Sequence, residues 1–302
     1  MTEKFSETFR NNIVDLYGEK GQKWLESLDD IVQNLAEKWN LSHLKAFSNL
    51  TYNYVLSGYQ NGNVPVVLKV GIENDLLQKE AEMLRFFADY GAVTLIDSCD
   101  GALLLQRCVP GYSLTNYFPN NEEESVEIIA KVIKKLHSAS PKKNVCAVTP
   151  LRELLNDLYQ PSNIAEKYIA KARDFSEFLL KTTIENVIMH GDLHHDNVIY
   201  DEAIQSWKVI DPAGVIGDPT YEYTSFMINP IDKIWKCDNA LSIIENRIQK
   251  FARIADVDPL RLRQWTFVKA VLCLVWTEGT QNQDRLELVK LFDQIAVIDF
   301  FR

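Results

Sequence analysis

The sequence predicts an α+β chain in two lobes, the first built around an antiparallel sheet and the second mainly of helices. Three observations lead there. Between residues 44 and 108, runs rich in β-branched and aromatic residues are separated by the turn dipeptides Asn61-Gly62 and Asp100-Gly101. Val109-Pro110-Gly111 then interrupts the pattern. Beyond it, apolar residues recur at helical spacing over most of the remaining chain. The expected division is 1–108, with residues 1–40 as a helical extension, and 109–302.

In the extension, Trp24, Leu28, Ile31, Leu35 and Trp39 fall on one helical face. TYNYVLSGY and NVPVVLKVG, joined at Asn61-Gly62, form a predicted hairpin. Residues 74–89, NDLLQKEAEMLRFFAD, form an amphipathic helix. Strands follow at 93–97 and 102–108. Helices are expected at 121–139, 150–182, 219–228, 238–255, 259–277 and 283–298. Asp258-Pro259 marks one start, with a capping carboxylate and proline at the first helical position.

Composition sets the function classes. A hydrophobic content of 46% and a charged content of 25% are those of a globular chain, and no apolar run reaches membrane-spanning length. The start, MTEKFSETFRNN, carries no apolar signal-peptide core. Cys99, Cys108, Cys146, Cys237 and Cys273 are scattered, with no CxxC pair. They read as free thiols in a reducing compartment, so a cytoplasmic location is expected. A net charge of −10 argues against a general nucleic-acid binder and suits a cationic small-molecule partner.

The chemistry concentrates in HGDLHHDNVIYDEAIQSWKVIDPAG, residues 190–214, where Asp192, Asn197 and Asp211 are spaced by five and fourteen. Apolar 197–200 and 207–210 flank a polar turn, and such a hairpin returns Asn197 to the side of Asp211. One carboxylate at a loop mouth, with a pair of hard oxygen ligands behind it, suits Mg-dependent phosphoryl transfer. That chemistry also needs a cation on the phosphates. Lys69 sits in an apolar strand with Val66 and Val67 expected to be buried, and Glu80 follows eleven residues later on the next helix. Glu82 is an alternative partner on a different helix face. His190, His194 and His195 raise a zinc-hydrolase reading, but Gly191 disfavours the helix that would join His190 to His194. No GxxxxGK[ST] loop occurs.

LKVG with Lys69, EAEMLRFF with Glu80, ALLLQRCVPGYSL, Leu136-His137, HGDLHHDNVI and VIDPAGVIGDPTYE arrive in the order seen in one family. Over residues 45–280 the chain resembles the aminoglycoside phosphotransferases, a protein-kinase-like superfamily, and within it the streptomycin and hydroxyurea phosphotransferase branch. The resemblance implies a bilobal protein-kinase-like fold and transfer of the ATP γ-phosphate to a small-molecule hydroxyl. It implies Asp192 as the catalytic carboxylate and Asn197 and Asp211 as Mg ligands. Lys69 would contact the phosphates, positioned by Glu80. Gln106 to Cys108 would offer backbone groups to the adenine, with Leu105 behind it. The expected phosphate loop, FSNLTYNY, lacks glycine, so Ser48, Asn49 and Thr51 would supply donors, and it gives no preference for ATP over GTP.

Only six residues separate Asp211 from Asp218, and no APE-like element follows, which favours a small acceptor over a protein hydroxyl. Asp196, Glu222 and Glu278 are candidate acidic groups for that acceptor. Trp276 and Glu278 occur where the resembled family places substrate-facing residues. An aminoglycoside or related antibiotic is the leading acceptor. A metabolite kinase of choline, homoserine or sugar type, a catalytically silent kinase-like binding protein and a protein kinase are the alternatives.

Overall fold

The structure, a computed structural model, describes residues 6–139, 148–277 and 282–296. Helix α1 (Glu7–Trp39) starts at Ser6, whose side chain accepts the Phe9 N–H, bends at Gly18 and stops at Asn40 in the left-handed region. Five antiparallel strands follow: β1 (Leu41–Ala46), β2 (Tyr54–Gln60), β3 (Val64–Val70), β4 (Leu95–Cys99) and β5 (Ala102–Gln106), in spatial order β1-β2-β3-β5-β4. Asn61 and Gly62, at φ 51° and 84°, turn β2 into β3, the backbone the dipeptide favours. Helix α2 (Asn74–Phe86) lies between β3 and β4 in the chain.

The period of two along β3 decides which side chain meets what. Val66, Leu68 and Val70 point to one face and are buried with Tyr54, Leu56, Ala102 and Leu104 under α1. Phe9, Ile13, Leu25, Leu28, Leu35 and Trp39 supply the α1 side of that core. Helix α1 therefore roofs the sheet and leaves the opposite face, carrying Val67 and Lys69, to the cleft. β1 was not foreseen, because LSHLKA lacks a continuous apolar or aromatic run.

Strand β4 begins two residues later than the sequence suggests. Gly91 and Val93 instead bond the backbone of Val209 (Val93 N–H to Val209 O, 3.0 Å; Val209 N–H to Gly91 O, 2.9 Å), tying the sheet to the helical part. The chain leaves β5 at Arg107 and enters β6 (Pro110–Ser113), shorter than the single strand expected to 108. Helix α3 (Glu122–His137) matches expectation. The long helix expected at 150–182 is broken. After β7 (Thr149–Pro150), α4 (Leu151–Leu155) ends in a 3-10 turn, and α5 runs over Glu166–Thr182. Pro161 is the reason: it pushes Gln160 to an extended backbone, φ −79° and ψ 152°.

Strands β8 (Val187–Met189), β9 (Val198–Asp201), β10 (Ser206–Val209) and β11 (Val215–Gly217) frame the 190–214 motif. β9 and β10 pair antiparallel, and Ile210 N–H donates to Asn197 O at 3.1 Å, so the hairpin does return to Asn197. The segment at 219–228 is a 3-10 turn followed by α6 (Thr224–Met227). Helices α7 (Ala240–Ala255), α8 (Pro259–Val275) and α9 (Asn282–Ile295) complete the fold. Trp265, Phe267, Val268, Val271 and Leu272 bury α8 on all sides. Its core is continuous with Leu77, Ala81, Leu103 and Leu105 of the sheet lobe. Among the described residues no helix is long and apolar enough to cross a membrane. Cys99, Cys108, Cys237 and Cys273 are unpaired.

Candidate active site

Lys69 is held on the cleft face of β3, 4% exposed, by the same alternation that buries Leu68 and Val70 behind it. Its Nζ lies 2.7 Å from Glu80 Oε2 on α2 and 3.0 Å from Asp211 Oδ1. Burial works to lower the Lys69 pKa, but Asp211 and Glu80 outweigh it and hold the ammonium above its ordinary range. Burial pushes the Glu80 carboxyl up, with Lys69 pulling against it. Lys69 thus joins two elements far apart in sequence and keeps a fixed positive charge at the cleft wall. Glu82, the other candidate partner, is exposed.

The loop after β8 is built from below. Glu222, 1% exposed, accepts the N–H groups of His190 (2.6 Å) and Gly191 (3.0 Å). Burial raises the Glu222 carboxyl, yet His137, His190 and these bonds hold it below the usual range. His190 accepts the Asp192 N–H at Nδ1 (3.3 Å), which assigns the hydrogen to Nε2, where it donates to Ile210 O at 2.8 Å. Its carbonyl accepts from Ala213 (2.8 Å) and Gly214 (3.0 Å). One buried neutral histidine therefore fastens the loop to the strand end that carries Asp211. Gly191 has φ 85°, and a Cβ there would lie 2.5 Å from Val215 Cγ2, so a side chain is excluded twice over. Asp211 also takes the left-handed region, φ 58°, which aspartate tolerates.

Asp192 emerges at the loop mouth, its side chain about half exposed (49%). Ser225 Oγ on α6 donates to its Oδ1 at 3.3 Å, and His194 Nε2 lies 3.8 Å from Oδ2. Burial acts to raise this carboxyl; Lys269, then His194 and His190, and the Ser225 bond hold it below the ordinary carboxylate range. Asn197 donates through Nδ2 to Asp192 O at 2.9 Å, which leaves Oδ1 as the amide's hard oxygen.

A cleft of about 610 Å³ lies between the lobes, and Lys69, Asp192, Asn197 and Asp211 all line it. Leu105, Gln106 and Cys108 form its wall at the lobe connection, as do Phe47, Asn49, Leu50 and Thr51 from the loop after β1. Ser48, exposed on that loop, is not part of the wall. Glu80 stands behind Lys69 rather than at the surface of the cleft. Cys108 is no reactive thiol: burial, with Asp201 adding to it, pushes it up to about 12. The donor set fits a hard divalent cation. Asp211 offers a carboxylate 45% exposed, and the fixed Asn197 amide offers Oδ1 from the same cleft wall.

The described acceptor candidates, Asp196, Glu222 and Trp276, do not come together. Asp196 lines the cleft and accepts from Ser113 (3.3 Å) and Thr115 (2.7 Å). Trp276 is 44% exposed, its Nε1 donating to Asp157 Oδ2 at 2.6 Å. Glu222 is corrected: it is buried beneath the loop with both oxygens occupied by backbone, and it faces no acceptor. Glu278 lies outside the described residues. The zinc reading also falls, since His195 is fully buried and stacked on Phe226 (4.2 Å, 12°) while His190 bonds backbone. No cluster of three or more His, Cys, Asp or Glu suited to a metal exists among the described residues. Ser225 and Lys269 were missed. Ser225 carries no sequence signal, but Lys269 interrupts the apolar run FVKAVLCLV, which is a legible warning of a buried charge.

This fold has known counterparts. The chain is 27% identical over 256 residues to streptomycin 3''-kinase of Klebsiella pneumoniae, covering 80% of this chain and 91% of that one. It is 21% identical over 269 residues to streptomycin 6-kinase of Streptomyces glaucescens, covering 86% of each. An aminoglycoside phosphotransferase solved with ADP and hygromycin B shares the fold, with a TM-score of 0.66 at 19% identity, over 87% of this chain and 97% of that one. Residues 44–280 match the family described as aminoglycoside/hydroxyurea antibiotic resistance kinase. This match covers most of the chain, which belongs to the aminoglycoside/hydroxyurea antibiotic resistance kinase family.

Proposed function

We propose that this kinase moves the γ-phosphate of ATP to a hydroxyl of a small molecule, an aminoglycoside or a related antibiotic. The observation that carries the proposal is the Lys69 ammonium bridging Glu80 and Asp211 on the wall of a cleft that Asp192 and Asn197 also line. In this reading the acceptor hydroxyl meets the Asp192 carboxylate and attacks the γ-phosphorus in line. The bond from that phosphorus to the bridging oxygen of ADP breaks, and the hydroxyl proton passes to Asp192 and on to solvent. Lys69 meets the phosphates with a charge that two carboxylates keep in place. Asp211 and Asn197 would hold a Mg ion, which when bound offsets phosphate charge. Gln106 to Cys108 would present backbone to the adenine. The streptomycin kinases among its relatives support an aminoglycoside acceptor, which in this reading meets Asp196 in the cleft.

The test is ADP release with Mg and ATP against aminoglycosides, hydroxyurea, amino alcohols and a generic protein. Asp192→Ala is expected to lower acceptor-dependent turnover by about 10²–10⁴-fold while ATP still binds. Wild-type turnover in that variant, or release that responds to the protein alone, would sink the proposal.

A further inference from the structure

The loop between β1 and β2 forms one wall of the cleft, yet it is held from outside the cleft. Phe47, Asn49, Leu50, Thr51 and Asn53 line the cavity from this loop. Phe47 N–H donates to Val55 O at 3.1 Å and closes its base. Residues 48–53 belong to no strand and include no glycine. Glycine lets a backbone approach a ligand closely by its own freedom, whereas a loop of ordinary residues relies on outside contacts for its shape. Among the described residues one hydrogen bond reaches the backbone of 48–53, from Asn12 Nδ2 to Thr51 O at 3.3 Å. Asn12 lies on α1, ahead of the family match that begins at residue 44.

The shape of α1 serves that contact. Gly18 leaves the helical region at φ 55° and ψ −131° and bends the helix. A Cβ at Gly21 would lie 2.5 Å from Ile13 O, so only glycine lets the two halves approach this closely. The half before the bend sends Phe9 and Ile13, both fully buried, into one core with Tyr54, the first residue of β2. The Phe9 and Tyr54 ring centroids stand 6.1 Å apart. Leu50 of the loop packs against the same core. Leu50 and Thr51 therefore meet α1 or its core behind and the cleft in front. Covering the sheet asks only for the apolar face of the helix, and gives no reason for an amide aimed at a loop carbonyl. We infer that Asn12 is a positioning residue for the nucleotide: the half of α1 before Gly18 fixes the 48–53 loop where it meets the phosphates. The inference rests on the nucleotide reading of the cleft. A loop fixed in advance loses less freedom when phosphate binds, so releasing it weakens nucleotide binding and leaves the acceptor side unchanged.

Asn12→Ala and Asn12→Leu both remove the donor and suit a helix, and Asn11→Ala, at the exposed neighbouring position, is the control. Mg-ADP is titrated onto the full chain, and KM is measured for ATP and for the acceptor. In both Asn12 variants the ADP Kd and the KM for ATP should rise together by about three- to tenfold. The KM for the acceptor should stay within about twofold and the unfolding midpoint should not move. Asn11→Ala should match wild type throughout. Wild-type ADP affinity in both Asn12 variants overturns the inference, as does a rise no larger than that of Asn11→Ala. A weakening of ATP and acceptor alike that follows a lowered unfolding midpoint is a packing effect and overturns it too. If the wild-type protein binds no ADP, the nucleotide reading of the cleft falls and takes this inference with it. If wild type binds ADP and the Asn12 variants bind it equally well, the inference falls alone.

Discussion

Glu80→Ala separates the nucleotide clamp from the rest of the machinery. In the native protein the Lys69 ammonium sits between Glu80 at 2.7 Å and Asp211 at 3.0 Å, with Lys69 and Glu80 side chains 5% and 11% exposed. Removing one partner of a buried pair costs about 3–5 kcal/mol when nothing replaces it. Here Asp211 remains, but its side chain is 45% exposed and solvent weakens its hold, so a loss of roughly 2–3 kcal/mol is expected. The clamp changes as well as the stability. With Glu80 gone, Lys69 follows Asp211, its remaining partner, and drifts from the place where phosphates are met. A shift worth about 1.4 kcal/mol per decade gives roughly a ten- to hundredfold rise in KM for ATP. Urea unfolding reads the first effect and coupled ADP release the second. Glu82→Ala, two residues along on an exposed face, is the control and should change stability by less than about 0.5 kcal/mol. A Glu80→Ala protein with wild-type KM for ATP and an unmoved unfolding midpoint would refute the clamp.

Two further outcomes follow from the loop. His195 is fully buried, neither ring nitrogen has a partner among the described residues, and burial, then Arg247, His194 and Lys233, hold its pKa well below the ordinary histidine value. The unfolded chain takes up a proton below about pH 6.5 that the folded one refuses, so stability is present above that pH and is lost as pH falls, by up to about 1.4 kcal/mol per unit. His195→Phe should leave stability at pH 7 equal or higher and make the decline between about pH 6.5 and 5 shallower, His190 retaining a part of it; an unchanged slope in thermal melts across that range counts against it. Gly191→Ala meets a left-handed backbone worth about 1–2 kcal/mol and Val215 Cγ2 at 2.5 Å, so both melting temperature and turnover should drop. Gly62→Ala, with φ 84° but open space around it, should cost stability alone; equal turnover losses in the two variants would show that the loop geometry is not what matters.

Some of this protein was determined by its sequence. Asn61-Gly62 specified a hairpin because few dipeptides accept two positive φ angles in succession. The 197–210 pattern specified another, and with it the meeting of Asn197 and Asp211, because a short hairpin fixes its own register. Pro161 carried the break in the 150–182 helix in plain view, and the helical periodicity on either side concealed it. Other matters were decided by tertiary structure. Glu80 and Glu82 differ in nothing local; α2 packing against the sheet selects Glu80 for Lys69 and sends Glu82 to solvent. Glu222 looked like an acidic group for a substrate, yet it is an anchor, because two backbone N–H groups from a loop some thirty residues earlier needed an acceptor under them. Sequence patterns record contacts between near neighbours and the faces of single elements. Which buried charge finds which partner depends on how distant elements stack, and that is why Lys69 could be read in advance and the setting of Lys269 could not.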